Sequence, residues 1–237
     1  MTILSTHAEV EQLFIHLELK GCKSICMTSD KASSGTTSLA MALTERYLLA
    51  GYRTLYVDFN LFNPSFKPFP LVSIDSFTSP AQSNAIELVE HIESHQVFSG
   101  ISAPIRRPDQ MPYRDPVSLS GSIIKWQDNY DRIVFDTTPL TQCNQANIPT
   151  PVIASCCDAT TLVVAGGLSS SEDVQYSLEQ LSSCGCPFVG VALNHFRQQS
   201  FLEAILTSNS LPRWLPNRIK NKLKSAMQQN SLFHHAI

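Results

Sequence analysis

Residues 27–43, MTSDKASSGTTSLAMAL, place an apolar run ahead of a Ser/Thr-rich loop and a helical pattern behind it. Such a loop binds phosphate when consecutive backbone N–H groups at a helix N-terminus converge on the anion. A lysine then neutralises the charge, and a Ser/Thr hydroxyl holds Mg²⁺. The candidate nucleotide contacts are Lys31, Ser33, Ser34, Gly35, Thr36, Thr37 and Ser38. Gly35 stands where the backbone must turn tightly and Thr37 where the magnesium-binding hydroxyl belongs, but the lysine position directly after the glycine is Thr36. A Ser/Thr-rich loop that only caps a helix has a similar look, so the reading needs support from elsewhere. Asp58, in YVDFNLFNPS, and Asp136, in YDRIVFDTTP, each end an apolar run. Carboxylates at the ends of buried strands beside a phosphate loop serve as catalytic groups and hold Mg²⁺, directly or through water. With Thr37 they form the candidate metal set. Asn194 closes the last apolar run, in GVALNHF, and joins the candidate nucleotide contacts.

These residues need a scaffold that brings strand ends together. Five short runs rich in β-branched residues, at 24–29, 54–59, 132–136, 160–166 and 188–194, read as strands covered on both faces. Helical patterns lie between them. Residues 36–50 put Leu39, Leu43, Tyr47 and Ala50 on one face and stop at Gly51. Residues 170–183 group Val174, Leu178 and Leu181, with Glu172 and Asp173 at the end that the helix dipole makes favourable for acids. Residues 60–115 read as an irregular, proline-interrupted excursion with a helix at about 84–95, followed by a proline-rich loop, APIRRPDQMPYRDP, and a helix at about 116–127. Strand–helix alternation of this kind predicts an α/β fold, doubly wound around a mainly parallel sheet, in one domain over 1–237. The ligand site is expected at the strands' carboxyl ends.

Composition narrows the function classes. The 237 residues are 43% hydrophobic and 16% charged, as expected of a soluble globular chain. No apolar run approaches the roughly 20 residues of a membrane span, and MTILSTHAEVEQLF does not read as a signal peptide. The seven cysteines lack paired C-x-x-C spacing and read as reduced, mostly buried thiols, which points to the cytoplasm. Cys184-Gly-Cys186 and Cys156-Cys157 read as core or turn residues rather than redox pairs. Net charge is −3, yet 204–237 carries five basic residues and no acid, so the body is the more acidic part and nucleic acid is not its expected partner. In that tail Ile219, Leu223, Ala226 and Met227 form one apolar stripe, with Trp214 ahead of it and Arg218, Lys220, Lys222 and Lys224 off it. The pattern suits a membrane surface or an acidic partner; it equally suits a last helix packed on the sheet with its basic side outward.

Taken together, MTSDKASSGTTS, LYVDFNLFNPS, NYDRIVFDTTPL, CDATTLVVAGG and PFVGVALNHF resemble, in order and spacing, the ATPase domain of the bacterial tyrosine autokinases that accompany polysaccharide chain-length regulators. That family lies within the ParA/MinD-type deviant P-loop ATPases. EVEQLFIHLEL, within 1–20, matches its N-terminal helix and RDPVSLSGSIIKWQ the helix before the Walker B strand. The resemblance implies a P-loop NTPase fold of three layers, ATP or ADP with Mg²⁺ as ligands, and a homo-oligomer. It also implies a partnership with the cytoplasmic part of a membrane chain-length regulator, at the inner face of the cell membrane.

Against the family's pattern, the Walker A lysine falls on Thr36 and a loop glycine on Ser33. The second acid of the Asp-x-Asp motif falls on Asn60 and the following arginine on Phe62. Phe14 and Leu17 stand where the family has arginines implicated in ring assembly, and no tyrosine follows Tyr176, so the phosphorylated tail is missing. The expectation is a degenerate member that regulates or supports exopolysaccharide assembly while binding nucleotide weakly or not at all. Two alternatives stand beside it. One is an active ATPase or kinase in which Lys31, at the position of the partition ATPases' signature lysine, supplies the cation. The other is a ParA/MinD-like positioning factor using its tail on membrane.

Overall fold

The computed structural model describes residues 3–69, 86–142, 144 and 146–195. The tail, with Trp214, Arg218, Ile219, Lys220, Lys222, Leu223, Lys224 and Met227, lies outside them. In chain order the elements are α1 (Ala8–Leu19), β1 (Ser24–Ser29), α2 (Thr36–Leu49), β2 (Thr54–Phe59), β3 (Phe66–Pro68), β4 (Glu87–His91) and β5 (Val97–Ile101). Then come α3 (Arg107–Arg114), α4 (Pro116–Gln127), β6 (Arg132–Thr137), α5 (Thr150–Cys156), β7 (Ala159–Ala165), α6 (Ser171–Ser183) and β8 (Phe188–Asn194).

Among the described residues the eight strands join one sheet in the order β3-β4-β5-β2-β6-β1-β7-β8. Pairing is parallel from β5 to β8, and antiparallel only at β3–β4 and β4–β5. The sheet is thus mainly parallel and doubly wound, as the strand–helix alternation predicts. Period-2 alternation sends strand side chains to two layers. Ile25, Met27, Tyr56, Val134 and Val163 pack with α1 and α2 on one face. Cys26, Leu55, Val57, Ile133, Phe135 and Leu162 pack on the other with residues of α3, α4, α5 and α6. β1 lies between β6 and β7, so the chain reverses its winding there and opens a crevice at the strands' carboxyl ends.

Two expectations need correction. The helix expected at about 84–95 is instead β4 and a turn leading into β5. Val89 and Phe98 face each other in that ladder and both are buried, while Tyr56 stacks on Phe98 at 5.7 Å. Burial against β2 therefore overrides the helix preference of the Glu- and Leu-containing segment. At Gly100 a Cβ would lie 2.5 Å from the Tyr56 carbonyl oxygen, so β5 can close on β2 only with glycine there.

The second correction is APIRRPDQMPYRDP, which contains α3 instead of being all loop. Pro108 falls in the first helical turn, where no N–H is needed. The segment is fastened by Gln110, whose side-chain amide donates to the Pro104 carbonyl at 2.9 Å, and by Tyr113 against Phe59 at 4.6 Å. Those contacts outweigh the disruption from Pro112 inside the helix.

Candidate functional site

The loop between β1 and α2 begins at Asp30, which is fully buried. The Asp30 carbonyl accepts from the Thr141 hydroxyl at 2.5 Å and from its amide at 3.3 Å. The Ser34 hydroxyl lies 2.9 Å from the Lys31 carbonyl and 3.3 Å from Asp30 Oδ1, closing the loop on itself. Ser33 holds φ at +63° and Gly35 at +93° before α2 starts at Thr36. The first amides of a helix have no partner inside it, so this loop presents Thr36, Thr37 and Ser38 at an anion-attracting helix terminus.

Asn194 reaches the loop from β8. Its side-chain amide donates to the Ser34 carbonyl at 2.9 Å, and a Cβ on Gly35 would come within 2.3 Å of Asn194 Nδ2. Gly35 thus serves two needs, the left-handed turn and the close passage of Asn194. The side chain expected to touch nucleotide braces the loop.

The structure brings Thr37 and Asp136 together: the Thr37 hydroxyl donates to Asp136 Oδ2 at 2.7 Å. The Tyr56 hydroxyl donates to the same oxygen at 3.1 Å, while the buried Asp136 Oδ1 has no partner among the described residues. Asp58 lies across from Asp136 in the β2–β6 register. Its Oδ1 accepts from the Asn60 amide at 3.0 Å, and its Oδ2 from the amides of Ser65 at 3.1 Å and Phe66 at 3.3 Å. Both carboxyls are pushed above the usual range by burial, Asp58 also by the neighbouring Asp136 charge, so the pair favours retaining a proton.

These residues fit Mg²⁺. Asp136 offers an unpartnered buried oxygen and Thr37 a hydroxyl beside it, and a divalent cation would remove the electrostatic reason for the raised carboxyl pKa values. Asp58, with both oxygens engaged by amides, suits a water-mediated place. The fit to a polyphosphate is only partial. The cleft in front of the loop is lined by Ser33, Thr36, Thr37, Asn60, Phe62 and Asn194 among others, and no lysine or arginine among the described residues lines it. Lys31 is drawn to α6, where its ammonium pairs with Asp173 Oδ2 at 2.5 Å. Asp173 also caps that helix together with Ser170, and its contacts with Lys31 and Ser170 lower its pKa to about 2.

The departures in α1 have a structural counterpart. The Arg46 guanidinium lies 4.0 Å above the Phe14 ring and pairs with Glu11, Phe14 meets Tyr47 edge-on at 5.1 Å, and Leu17 is fully buried. Sequence reasoning missed Asp30, Tyr56 and Asp173. Tyr56 shares a strand face with Asp58, and that period-2 relation was its only signal. Asp173 carries the signature of a helix cap alone, because its link to Lys31 is tertiary.

No family model matches the chain. Tyrosine-protein kinase CpsD of Streptococcus pneumoniae is 26% identical over 190 residues, covering 77% of this chain and 81% of the relative. Among solved structures, the kinase domain of Escherichia coli tyrosine kinase ETK aligns with a TM-score of 0.54 at 18% identity, over 77% of this chain and 71% of that one. The septum site-determining protein MinD of Pyrococcus horikoshii, complexed with Mg-ADP, aligns with a TM-score of 0.52 at 17% identity, over 75% and 72%. With the loop, Thr37, Asp58 and Asp136 assembled on a matching sheet, the chain has the P-loop fold of these solved structures and is similar over most of its length to the tyrosine-protein kinase CpsD.

Proposed function

We propose that this chain is a degenerate member of the tyrosine-kinase family that binds Mg·nucleotide weakly or not at all. In this reading it acts as a regulatory or structural partner of the membrane protein that sets exopolysaccharide chain length. One observation carries it: the cleft before the phosphate loop has no lysine or arginine among its described lining residues, with Thr36 in the lysine position and Lys31 paired to Asp173. A charge-assisted contact to phosphate contributes about 1.5–3 kcal/mol to binding and more in a transition state, and without it backbone amides must hold several phosphate charges alone.

Calorimetry with Mg·ATP and Mg·ADP, alongside a turnover assay on the same sample, tests the reading. Weak or undetectable binding is expected, with phosphate release no faster than that of Asp136→Ala. Clear hydrolysis above that control would sink it. The partner role is checked by co-purification with the membrane chain-length protein, which is expected to persist in Asp136→Ala because it does not depend on turnover.

A second reading, a working ATPase or kinase, draws support from the intact Thr37–Asp136 pair and the unpartnered Asp136 oxygen. It requires Lys31 to leave Asp173 and reach phosphate, within one subunit or across a dimer.

A further inference from the structure

At the end of the sheet remote from the phosphate loop, α6 turns into β8 through Cys184-Gly185-Cys186. Gly185 takes φ +65° there, and a Cβ at that position would meet nothing within 4 Å, so the turn is open on its outer side. The turn brings two thiols to one acceptor: Cys184 Sγ lies 3.1 Å and Cys186 Sγ 3.3 Å from the Leu181 carbonyl oxygen. Both are free and only partly covered, whereas Cys22, Cys26 and Cys157 are buried. That shared acceptor holds the two sulfurs on the same side of the turn. A Cα separation of about 4.4–6.8 Å is what a disulfide needs, and a tight turn around one left-handed glycine brings i and i+2 into that range.

We propose that Cys184 and Cys186 are a redox modification site, a dithiol that closes to a disulfide by exchange with a low-molecular-weight disulfide. The Cys184 thiolate attacks one sulfur of that oxidant, forming a mixed disulfide and releasing the first small thiol. Cys186, on losing its proton, attacks Cys184 Sγ and expels the second. Two protein thiols become one disulfide and the oxidant leaves as two thiols, so electrons and protons balance. Burial, then the neighbouring Cys184, pushes the Cys186 thiol up to about 11, which suits Cys186 to the second, resolving step. A disulfide across so short a loop gains little from chain entropy and is readily reduced, the property of a reversible mark rather than a structural staple. Its place in the fold gives it reach. α6 holds Lys31 through Asp173 and β8 holds the loop through Asn194, so closure would tether the two elements that brace the phosphate loop.

The test uses the full chain, reduced and then exposed to excess glutathione disulfide, with free thiols alkylated before cleavage after glutamate. Cleavage after Glu179 and Glu203 releases residues 180–203, which contain Cys184 and Cys186 and no other cysteine. That fragment is expected to be lighter by two hydrogens and to escape alkylation, and dithiothreitol is expected to restore both. Cys184→Ser should abolish closure and leave Cys186 alkylated, while Cys186→Ser should trap a glutathione adduct on Cys184. The proposal fails if wild-type 180–203 remains doubly alkylated, if it carries a stable glutathione adduct instead of closing, or if either cysteine bridges to Cys26, Cys156 or Cys157.

Discussion

Ser33 holds φ at +63°, a region that costs an L-residue about 1–2 kcal/mol and glycine nothing. The loop has kept a glycine's turn without the glycine. Ser33→Gly is therefore expected to stabilise the fold by about 0.5–1 kcal/mol, less than the full strain because glycine also widens the unfolded ensemble. A higher urea midpoint at unchanged slope would bear this out; a lower midpoint would mean that the Ser33 side chain contributes more than its backbone costs. Asp58 and Asp136 act on a different axis. Burial raises both pKa values, so each proton is held more tightly in the folded chain than in the unfolded one. The associated stability is complete below the ordinary carboxylate range and is lost as pH rises through the raised folded values, across neutrality. The thermal midpoint is expected to fall between about pH 6 and pH 8, and more steeply in the wild type than in Asp136→Asn. Mg²⁺ pairs with the charged form, so its stabilising shift should be larger at the higher pH. Equal shifts at both values would argue against these carboxylates as its ligands.

The N-terminal element is held to the body by internal packing. α1 lies on α2 through Leu17, through the Phe14–Tyr47 edge contact and through the Glu11–Arg46 ion pair. Leu17→Arg would place a charge at a fully buried position. Its expected cost is more than about 3 kcal/mol, with faster hydrogen exchange in α1 and in the facing side of α2. A cost within about 0.5 kcal/mol, the range of an ordinary surface change, would mean that α1 leaves the body freely. Elements like α2 and the strands β1, β2, β6 and β7 were legible because burial on a face, or on both faces, leaves an apolar imprint, whereas α1 was read from the family resemblance alone. β4 and β5 were not legible, since EHIESHQ has helix-forming composition and the turn residue with positive φ is His95 rather than glycine. α3 was hidden by its own prolines. At the site, Thr37, Asp58 and Asp136 could be read because strand and helix ends fix them. Tyr56 and Asp173 could not, because what they touch comes from distant parts of the chain.

For the molecule as a whole, the decisive relation is between the phosphate loop and the elements that grip it. The segment after β6 holds it through the Thr141–Asp30 hydrogen bond, β8 through Asn194, and α6 through the Lys31–Asp173 pair. An ion pair with both side chains partly exposed contributes little to stability, so its consequence is the direction in which it points the one loop lysine. Two substitutions separate the possibilities. Asp173→Asn releases Lys31, and Thr36→Lys installs a cation at a position that already lines the cleft. If the cleft lacks only the cation, Thr36→Lys should tighten Mg·ADP binding by roughly 10- to 150-fold, the equivalent of one charge-assisted contact. Asp173→Asn should then bind as weakly as the wild type. If affinity instead rises in Asp173→Asn and falls again when Lys31→Ala is added, the α6 pair is a latch on a working nucleotide site. Should neither variant gain affinity, the missing lysine is not what limits binding, and the loop has to be regarded as a structural remnant held in shape by Asn194 and Asp30.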